Sequence, residues 1–423
     1  MIRAVVVTFA ALVLALFNLP VSAAGLWLYE QGTPDVGTAS AGMVSRAQDA
    51  ATAFANPAGM TRLKGSQFML GVQPIYADVK ADVKASTFGG GDGGNAGGFV
   101  PAGGLFYVHS ISDDLKLGFS AGSYFGLGID FDKDWAGRYY IQNEQFTTMF
   151  ANGAVGYRVN DWLSVGGGVG AIRGELEYKS ALNNALDARP DGRLKFNDSD
   201  SDVGFNAGVL IEPRQGTRIG LTYISEVDFR FKDSSIVKNA GPILNAALQQ
   251  SGLSDSTTKM KWVLPEQVML GAYHELTDDL AIMGNVGWQN WSKFGEIGVS
   301  IDSSTTSRST TADANFRDTW HVALGGRYRV NPLWSVSAGV AYDRSPVSDS
   351  NRSIALPLDR QWRYGAGALY QWSKDITLGA AFEYMDAGKA PVDQSGGPLR
   401  GDLKTELEND DFYFLALSLN WTF

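Results

Sequence analysis

The strongest constraint on the fold of this chain is an alternation of apolar and polar residues with a period of two, which continues from about residue 100 to the end. In the segment Trp320–Val330, tryptophan, valine, leucine and tyrosine occupy alternate positions, and histidine, arginine and small residues lie between them. The same alternation recurs in 334–342 and 362–372, where Trp or Tyr again stands near the ends. An apolar stripe of about ten residues with aromatic ends is typical of a strand that crosses a membrane.

Short polar turns and long polar stretches follow one another along the chain. The short turns are Ser112-Asp113-Asp114, Asn160-Asp161, Pro213–Thr217, Thr277-Asp278-Asp279, Asn331-Pro332-Leu333 and Ser373-Lys374-Asp375. The long stretches lie near 78–100, 128–145, 179–202, 232–262, 294–315, 344–360 and 386–411. Six turns and seven loops make thirteen connections and therefore fourteen strands. The predicted fold is an all-β transmembrane antiparallel barrel of fourteen strands, closed because an open edge in hydrocarbon would leave backbone groups unpaired.

Both ends of the chain carry export signals. Arg3 precedes an apolar run from Ala4 to Phe17, and small residues follow up to Ala23. This pattern predicts a signal peptide over residues 1–23, too short to be a spanning helix. The last strand alternates up to the terminal Phe423, a pattern that resembles the signal read by the outer-membrane assembly machinery. We therefore expect the outer membrane of a Gram-negative bacterium as the location and that machinery as a partner.

The composition excludes several functional classes. The net charge is −10, so a nucleic-acid partner, which needs a basic surface, is not expected. The chain has no cysteine, which rules out disulfides, thiolate metal sites and cysteine nucleophiles. It contains no phosphate-binding glycine loop of the Walker type, and no cofactor or metal is predicted.

Residues 24–64 lack the alternation and are rich in Ala, Gly, Ser and Thr. A segment of this kind ahead of the first strand, on the periplasmic side, is able to fold back into the lumen of a wide barrel. The predicted domains are therefore a signal peptide (1–23), an N-terminal hatch or plug (24–64) and a transmembrane β-barrel (65–423).

Several short strings resemble one known family. They are Ala24-Gly25-Leu26, Asn56-Pro57-Ala58, Phe125-Gly126-Leu127, Asp134-Trp135-Ala136-Gly137-Arg138-Tyr139, Leu264-Pro265-Glu266, Trp288–Phe294, Tyr342–Val347, Asn351–Ile354 and Asp359-Arg360. Spread in order over the mature chain, they resemble the FadL family of outer-membrane long-chain fatty acid transporters, which also covers relatives that admit toluene-like hydrocarbons.

The resemblance implies passive uptake of long-chain fatty acids or similar hydrophobic molecules through a plugged barrel. A ligand would leave sideways into the bilayer through a kink in the third strand. An aromatic hydrocarbon channel of the same family is an open alternative, and an outer-membrane barrel phospholipase is the alternative from another class. Outer-membrane lipid and lipopolysaccharide are expected as surroundings, and the barrel is expected to act as a monomer.

The hatch and the third strand supply the first candidate site residues. Proline fixes φ and removes a donor, so Asn56-Pro57-Ala58 forms a rigid kink suited to a constriction, although a simple turn explains it too. The third strand, near Leu115–Gly128, carries Gly122 and Gly126 at the implied exit. Glycine leaves no side chain to block a portal, but glycines also fill crowded barrel interiors.

Charged residues supply the remaining candidates. A buried carboxylate head needs a cation, and Arg138 and Arg173 are the first choices, although such arginines also bind lipopolysaccharide phosphates or one another. Glu175 stands where the family can present an inward basic residue, which keeps neutral hydrocarbons open as substrates.

Asp343 falls on the lumenal face of its strand by alternation. Arg352 and Arg360 are its predicted partners in an ion-pair network near the gate.

Two short motifs match enzyme or metal-binding signatures, but the residues around them support neither function. Gly118-Phe119-Ser120-Ala121-Gly122 matches a hydrolase elbow but lies within a strand, so no catalytic residue is assigned. Asp198, Asp200 and Asp202 imitate the start of a calcium loop, but Val209 stands where a bidentate glutamate is needed.

Overall fold

The computed structural model describes residues 26–27, 29–30, 32–184, 187–234, 237–250, 256–303 and 307–423. The predicted signal peptide and the start of the predicted hatch lie outside these residues. Among the residues described, no helix is both long and apolar enough to cross a bilayer.

Strands dominate the described chain. They are β1 (Leu26–Trp27), β2 (Gln67–Ser86), β3 (Gly98–Ser110), β4 (Leu115–Gly122), β5 (Phe125–Asp130), β6 (Asn143–Asn160), β7 (Leu163–Leu182), β8 (Gly192–Arg214), β9 (Thr217–Ile224), β10 (Val227–Asp233), β11 (Val237–Lys238), β12 (Thr257–Leu264), β13 (Gln267–Glu275), β14 (Leu280–Gln289), β15 (Glu296–Asp302), β16 (Ser307–Asp313), β17 (Thr319–Arg329), β18 (Trp334–Asp343), β19 (Gln361–Gln371), β20 (Ile376–Asp386), β21 (Ala390–Ser395) and β22 (Asp402–Thr422).

These strands form a closed antiparallel barrel of fourteen spans, as the sequence predicted. Six spans are interrupted and consist of two strands each: β4 and β5, β9 and β10, β12 and β13, β14 and β15, β16 and β17, and β20 and β21. The first span, β2, pairs with the last, β22, and closes the wall. Beside this closure, Ser66 and the terminal Phe423 exchange two backbone hydrogen bonds of 2.9 Å.

The alternation in the sequence determines which side chains face outward. Leu324, Val203 and Met149 are each more than 60% exposed on the outer wall, whereas the residues between them point inward. Tyrosine and tryptophan lie at both ends of this apolar band, as in the cross-strand pairs Tyr342–Trp362 and Trp334–Tyr370. The barrel therefore presents an aromatic-edged apolar surface to its surroundings.

The predicted short turns are all present, but several predicted long loops are shorter than expected. β2 continues to Ser86 and β22 already begins at Asp402. Polar strand residues keep their backbone hydrogen bonds beyond the apolar band, so the wall extends where the loss of apolar alternation had predicted loops.

Four strands on the long-loop side form a separate sheet in the order β10, β12, β15 and β16, called here the loop-side sheet. Each is joined to its barrel strand through a break, and the break between β14 and β15 holds the short helix Trp291–Phe294. The connection between β11 and β12 holds a helix, Pro242–Gln250.

The N-terminal segment comprises the described residues from Leu26 to Ser66, and its part Gly32–Ser66 lies inside the barrel as short turns of helix. They are α1 (Thr33–Val36), α2 (Thr52–Ala55) and a 3₁₀ helix (Pro57–Arg62). Arg46 and Asp35 form a buried ion pair within the segment. The segment packs closely on inward-facing glycines of the wall: a Cβ at Gly166 would lie 2.5 Å from the backbone nitrogen of Ala58.

Candidate functional site in the barrel lumen

Aromatic side chains from several spans meet inside the barrel and form what we call the lumenal aromatic cluster. Its members are Phe125, Phe146, Phe229, Phe231, Trp262 and Phe294, each no more than 1% exposed. Phe146 of β6 stacks on Trp262 of β12 at a centroid distance of 5.1 Å and contacts Phe229 edge-on at 5.7 Å. Trp262 donates a hydrogen bond of 3.0 Å to the carbonyl of Phe294. The cluster therefore joins the wall at β5 and β6 to the inner face of the loop-side sheet, and it offers apolar contact area.

The third span is broken between Gly122 and Phe125. The ladder between β3 and β4 ends at the pair Gly104–Gly122, and β5 pairs with β1 of the N-terminal segment instead of with β3. An added Cβ at Gly126 would have no atom within 4 Å, whereas one at Gly122 would lie 3.0 Å from the carbonyl of Gly103. The wall is interrupted in the span where the family resemblance implied a kink, and the open space is at Gly126.

An apolar groove runs along the inner wall from this break to the break between β9 and β10. Its lining includes Phe54 of the N-terminal segment, Tyr124, Phe150, Ile172, Gly204 and Val227. Phe54 stacks on Phe150 at 4.3 Å, and the cavity that remains is only about 20 Å³. The groove is therefore closed by its own side chains, with space for about one water molecule.

Asn56-Pro57-Ala58 begins the 3₁₀ helix and is buried against the wall. The Asn56 side chain donates to the carbonyls of Val44 at 2.7 Å and Val209 at 3.2 Å, and it accepts from the backbone nitrogen of Ala58. The motif thus attaches the N-terminal segment to β8. Its role as a constriction stays a prediction, because these contacts also suit a structural turn.

A cluster of charged side chains in the lumen joins the N-terminal segment to the wall at β18, β19 and β20. Arg363 of β19 donates to both carboxylate oxygens of Glu30, at 2.9 and 3.0 Å, and to Asp343 at 3.3 Å. Glu383 lies 3.7 Å from the same guanidinium. Asp343 also accepts from the hydroxyl of Tyr29 at 2.7 Å. One arginine therefore serves three carboxylates, of which Glu30 and Glu383 are fully buried, and two partners of the network belong to the chain before the barrel.

The predicted partners of Asp343 were wrong. Arg352 binds Asp349 at 2.6 Å and Asp359 at 3.2 Å, and Arg360 binds Asp386 at 3.0 Å. These two arginines belong to the connection before β19, whereas Asp343 stands opposite Gln361 in the ladder between β18 and β19. The inward arginine two residues further along β19 is therefore the one within reach.

The two arginines proposed for a ligand head group lie elsewhere. Arg173 is on the outer face of β7, where it binds Glu175 at 3.0 Å and Ser199 at 2.6 Å. Arg138 connects three loops, because it binds Asp191 at 3.2 Å and the carbonyl of Gly89 at 3.0 Å. Neither contact set brings a cation to the lumenal aromatic cluster.

Ser40, His321 and Asp343 have the spacing of a hydrolytic triad. Ser40 Oγ lies 2.9 Å from Nε2 of His321, and Nδ1 of the same ring lies 2.9 Å from Asp343. However, Ser40 is fully buried between the N-terminal segment and the wall, and Tyr29 stacks on the imidazole at 4.1 Å. A substrate has no access to this serine, and the three groups act as a structural link between segment and wall.

On the short-turn side the lumen contains a polar cavity of about 530 Å³ lined in part by Gln48, Asp49 and Arg327. Burial raises the pKa of Asp49 to about 6, although neighbouring Arg46 opposes the shift. In the described part of the chain, no group of three or more His, Asp or Glu side chains is arranged to hold a metal ion.

Comparison with known proteins decides the family. Residues 14–423 match the family described as outer membrane protein transport protein (OMPP1/FadL/TodX). The chain belongs to this family. It is therefore an outer-membrane transport protein. In barrels of this kind the short turns face the periplasm and the long loops face the outside of the cell.

Named relatives of the family cover nearly the whole chain. The long-chain fatty acid transport protein of Escherichia coli O6:H1 is 28% identical, with 94% of each chain aligned. The 47 kDa outer membrane protein of Pasteurella multocida is 29% identical over 95% of this chain and 96% of its own. The structure of a Pseudomonas aeruginosa FadL homologue superimposes with a TM-score of 0.85 at 23% identity, over 95% of this chain and 100% of its own. The Pseudomonas putida toluene transporter TodX gives a TM-score of 0.70 at 16% identity, over 94% of this chain and 99% of its own.

Sequence reasoning missed the centre of the lumen in this family member. Trp262 ends the stretch 232–262 that was predicted to be a loop, whereas Phe229 and Phe231 lie just before that stretch, where they alternate with charged residues as in a strand. Arg363 and Glu383 were missed because each stands among aromatic and small residues in an otherwise unremarkable strand. The signal that could have identified Arg363 and Glu383 is a lone charge at an inward position of a spanning strand.

Proposed function

We propose that this protein takes up long-chain fatty acids and similar hydrophobic molecules by passive diffusion. In this mechanism a molecule passes the lumenal aromatic cluster and the hatch, and leaves sideways into the bilayer at the break in the third span. The observation that supports this mechanism most directly is that buried aromatic side chains extend from the loop-side sheet to Phe125, the first residue of β5 in the broken third span. Each buried methylene of an acyl chain contributes about 0.8 kcal/mol of attraction, so such a path suits chains.

The N-terminal segment acts as the plug in this proposal. It lies in the lumen and packs closely on wall glycines, and its β1 strand pairs with β5 at the break in the third span. Its displacement from β5 would free the strand edge at Phe125 and Gly126 that β1 now occupies. Transport needs no energy source in the chain itself, because the substrate moves down its own gradient.

Aromatic hydrocarbons are the second candidate substrate. Arg138 and Arg173 are held away from the lumen, and Arg363 is already shared by carboxylates. Because these three arginines already bind carboxylates of the protein, none of them is left to pair with the head group of a fatty acid, and the path suits neutral molecules. The similar protein TodX is named as a toluene transporter.

Uptake assays test the proposal and separate the two substrates. The protein is expressed in a Gram-negative strain that lacks its own fatty acid transporter, and initial uptake of radiolabelled oleate and of toluene is measured. We expect uptake of at least one of them above the empty-vector strain, without release of fatty acid from phospholipid in the presence of calcium. Folded, heat-modifiable protein that admits neither molecule would contradict the proposal, and phospholipid hydrolysis would favour the phospholipase alternative.

A further inference from the structure

The wall contains a second interruption, between β8 and β10, that is held by side chains instead of a backbone ladder. The ladder between β8 and β9 runs up to Asn206–Ile224, and a last backbone bond of 2.9 Å joins Ser225 to Phe205. Above that point, β10 pairs on its other side with β12, and its described register contains no backbone partner in β8. We call this gap the β8–β10 seam.

Alternate aspartates of β8 close the seam. Asp202, Asp200 and Asp198 accept hydrogen bonds from the backbone nitrogens of Asp228, Arg230 and Lys232, at 3.1, 2.7 and 2.6 Å. The Asp-Ser-Asp-Ser-Asp string that imitates a calcium loop therefore supplies acceptors to the exposed edge of a neighbouring strand. A carboxylate is a strong acceptor, but it separates the two backbones by the length of a side chain.

The loop-side sheet is not laddered to the barrel at its other end either. In the described residues β16 pairs with β15 alone, and all seven of its residues are exposed. Beyond the seam, the short strand β11 is laddered to β8. The sheet is thus attached to the barrel by the breaks in its four spans, by the aspartates of β8 and by the packing of Phe229, Phe231 and Trp262 on Phe146 of β6. Such a unit is able to move outward with the loss of few backbone hydrogen bonds.

The lower end of the seam meets both lipid and the apolar groove. Val203 and Phe205 are more than half exposed on the outer face of β8, whereas Ser201 above them is polar. The seam thus begins at the upper limit of the apolar band. Directly behind it, Gly204 and Val227 line the groove that leads to Tyr124 at the break in the third span.

We propose that the β8–β10 seam is a side portal through which apolar chain molecules pass between the outer leaflet and the groove behind Gly204 and Val227. The inference rests on the proposed uptake function and adds a second wall opening to the one in the third span. The aspartates keep the portal closed to water and ions, and outward movement of β10 opens it.

A reducible crosslink across the seam tests the portal. Because the chain has no cysteine, Asp200→Cys with Arg230→Cys gives one defined pair, joined by a bis-methanethiosulfonate reagent. The control pair is Glu175→Cys with Ser199→Cys, which stand opposite each other in the intact ladder between β7 and β8. Oleate uptake is measured before crosslinking, after crosslinking and after reduction, and heat-modifiability verifies the folded barrel.

A photoreactive diazirine fatty acid gives a readout that does not depend on net uptake. Labelled peptides are mapped by mass spectrometry in outer membranes. We expect that crosslinking the seam pair lowers oleate uptake and removes the labelling of 202–206 and 225–229, that reduction restores both, and that the control pair changes neither. Asp200→Leu, which deletes one acceptor, should increase labelling relative to Asp200→Asn, which keeps an oxygen acceptor.

Full uptake and labelling with the seam crosslinked would overturn the portal. A protein that shows no uptake before crosslinking refutes the proposed function separately. In that case labelling alone decides: a seam signal that the crosslink removes supports the portal, and no signal at these peptides rejects it.

Discussion

Replacement of Arg363 by methionine should release the N-terminal segment from the wall. The guanidinium is fully buried and is the shared partner of Glu30, Asp343 and Glu383. Methionine fills a similar volume but leaves these carboxylates without their cation.

The expected free-energy cost of Arg363→Met follows from the hydrogen bonds that each carboxylate keeps. Asp343 keeps its hydrogen bonds to Tyr29 and His321, so its loss is partial. Glu30 loses two charge-assisted hydrogen bonds, and the carboxylate oxygens of Glu383 have no hydrogen-bond partner in the described structure. Removal of one partner of a buried pair typically costs about 3–5 kcal/mol. The population of molecules with a displaced segment should therefore rise by about 10² to 5 × 10³-fold.

Single-channel conductance in planar bilayers measures this displacement, because a displaced plug leaves an aqueous path. We expect frequent high-conductance openings for Arg363→Met and few for the wild type, with both barrels equally heat-modifiable. Arg329→Gln is the control, since it breaks an ion pair with Asp279 in which both side chains are half exposed. It should conduct like the wild type.

A second substitution separates charge from packing. Glu30→Gln in the Arg363→Met background removes one of the unpaired carboxylates and should restore part of the closed state. The reasoning is refuted if Arg363→Met stays closed like Arg329→Gln, or if the two substitutions act additively in a double-mutant cycle.

Three further outcomes are expected. Gly126→Phe should fill the open space beside the break in the third span and reduce oleate uptake. Gly153→Phe is the control, because an added Cβ there also meets no atom within 4 Å, and it should leave uptake unchanged. Equal uptake by both variants would contradict a lateral exit at the third span. Asn56→Ala should raise bilayer conductance because the bonds to Val44 and Val209 are lost, and unchanged conductance and uptake would show a dispensable turn. Burial raises the pKa of Asp49 to about 6, above its unfolded value, so ionisation of this carboxyl should destabilise the closed state as the pH rises from about 4 to 6, and the closed state should stay less stable above pH 6. Asp49→Asn should remove this dependence of conductance on pH. An identical pH profile of conductance in both proteins would contradict the role of Asp49.

The barrel was predictable from sequence because lipid imposes a simple rule on each spanning strand. Every second residue must be apolar and every backbone group must be paired, so alternation and turn spacing were enough to count the spans. The interruption of the third span agrees with the kink that the resemblance to the FadL family implied, and Gly122 and Gly126 lie on either side of it.

The contacts inside the lumen were less predictable. Arg352 and Arg360 lie close to Asp343 along the motif-bearing stretch, but register on the neighbouring strand brings Arg363 to it instead. Arg173 was assigned to the lumen without regard to the alternation of β7, which places it outside beside Val169 and Ala171. Lateral proximity between strands depends on register, and one sequence does not contain that information directly.

The close packing of the N-terminal segment on wall glycines restricts how the channel is able to open. A Cβ at Gly208, Gly220 or Gly339 would collide with Asn56, Val44 or Thr38, so these backbones are already at contact distance. Gly208 and Gly220 belong to the paired strands β8 and β9, whereas Gly339 belongs to β18, several strands further round the wall. A body held this tightly on several sides has no clearance to rotate or to slide as one unit. Opening is therefore expected to proceed by stepwise peeling of a few residues, beginning at the β1 end, with most of the segment remaining seated throughout the transport cycle.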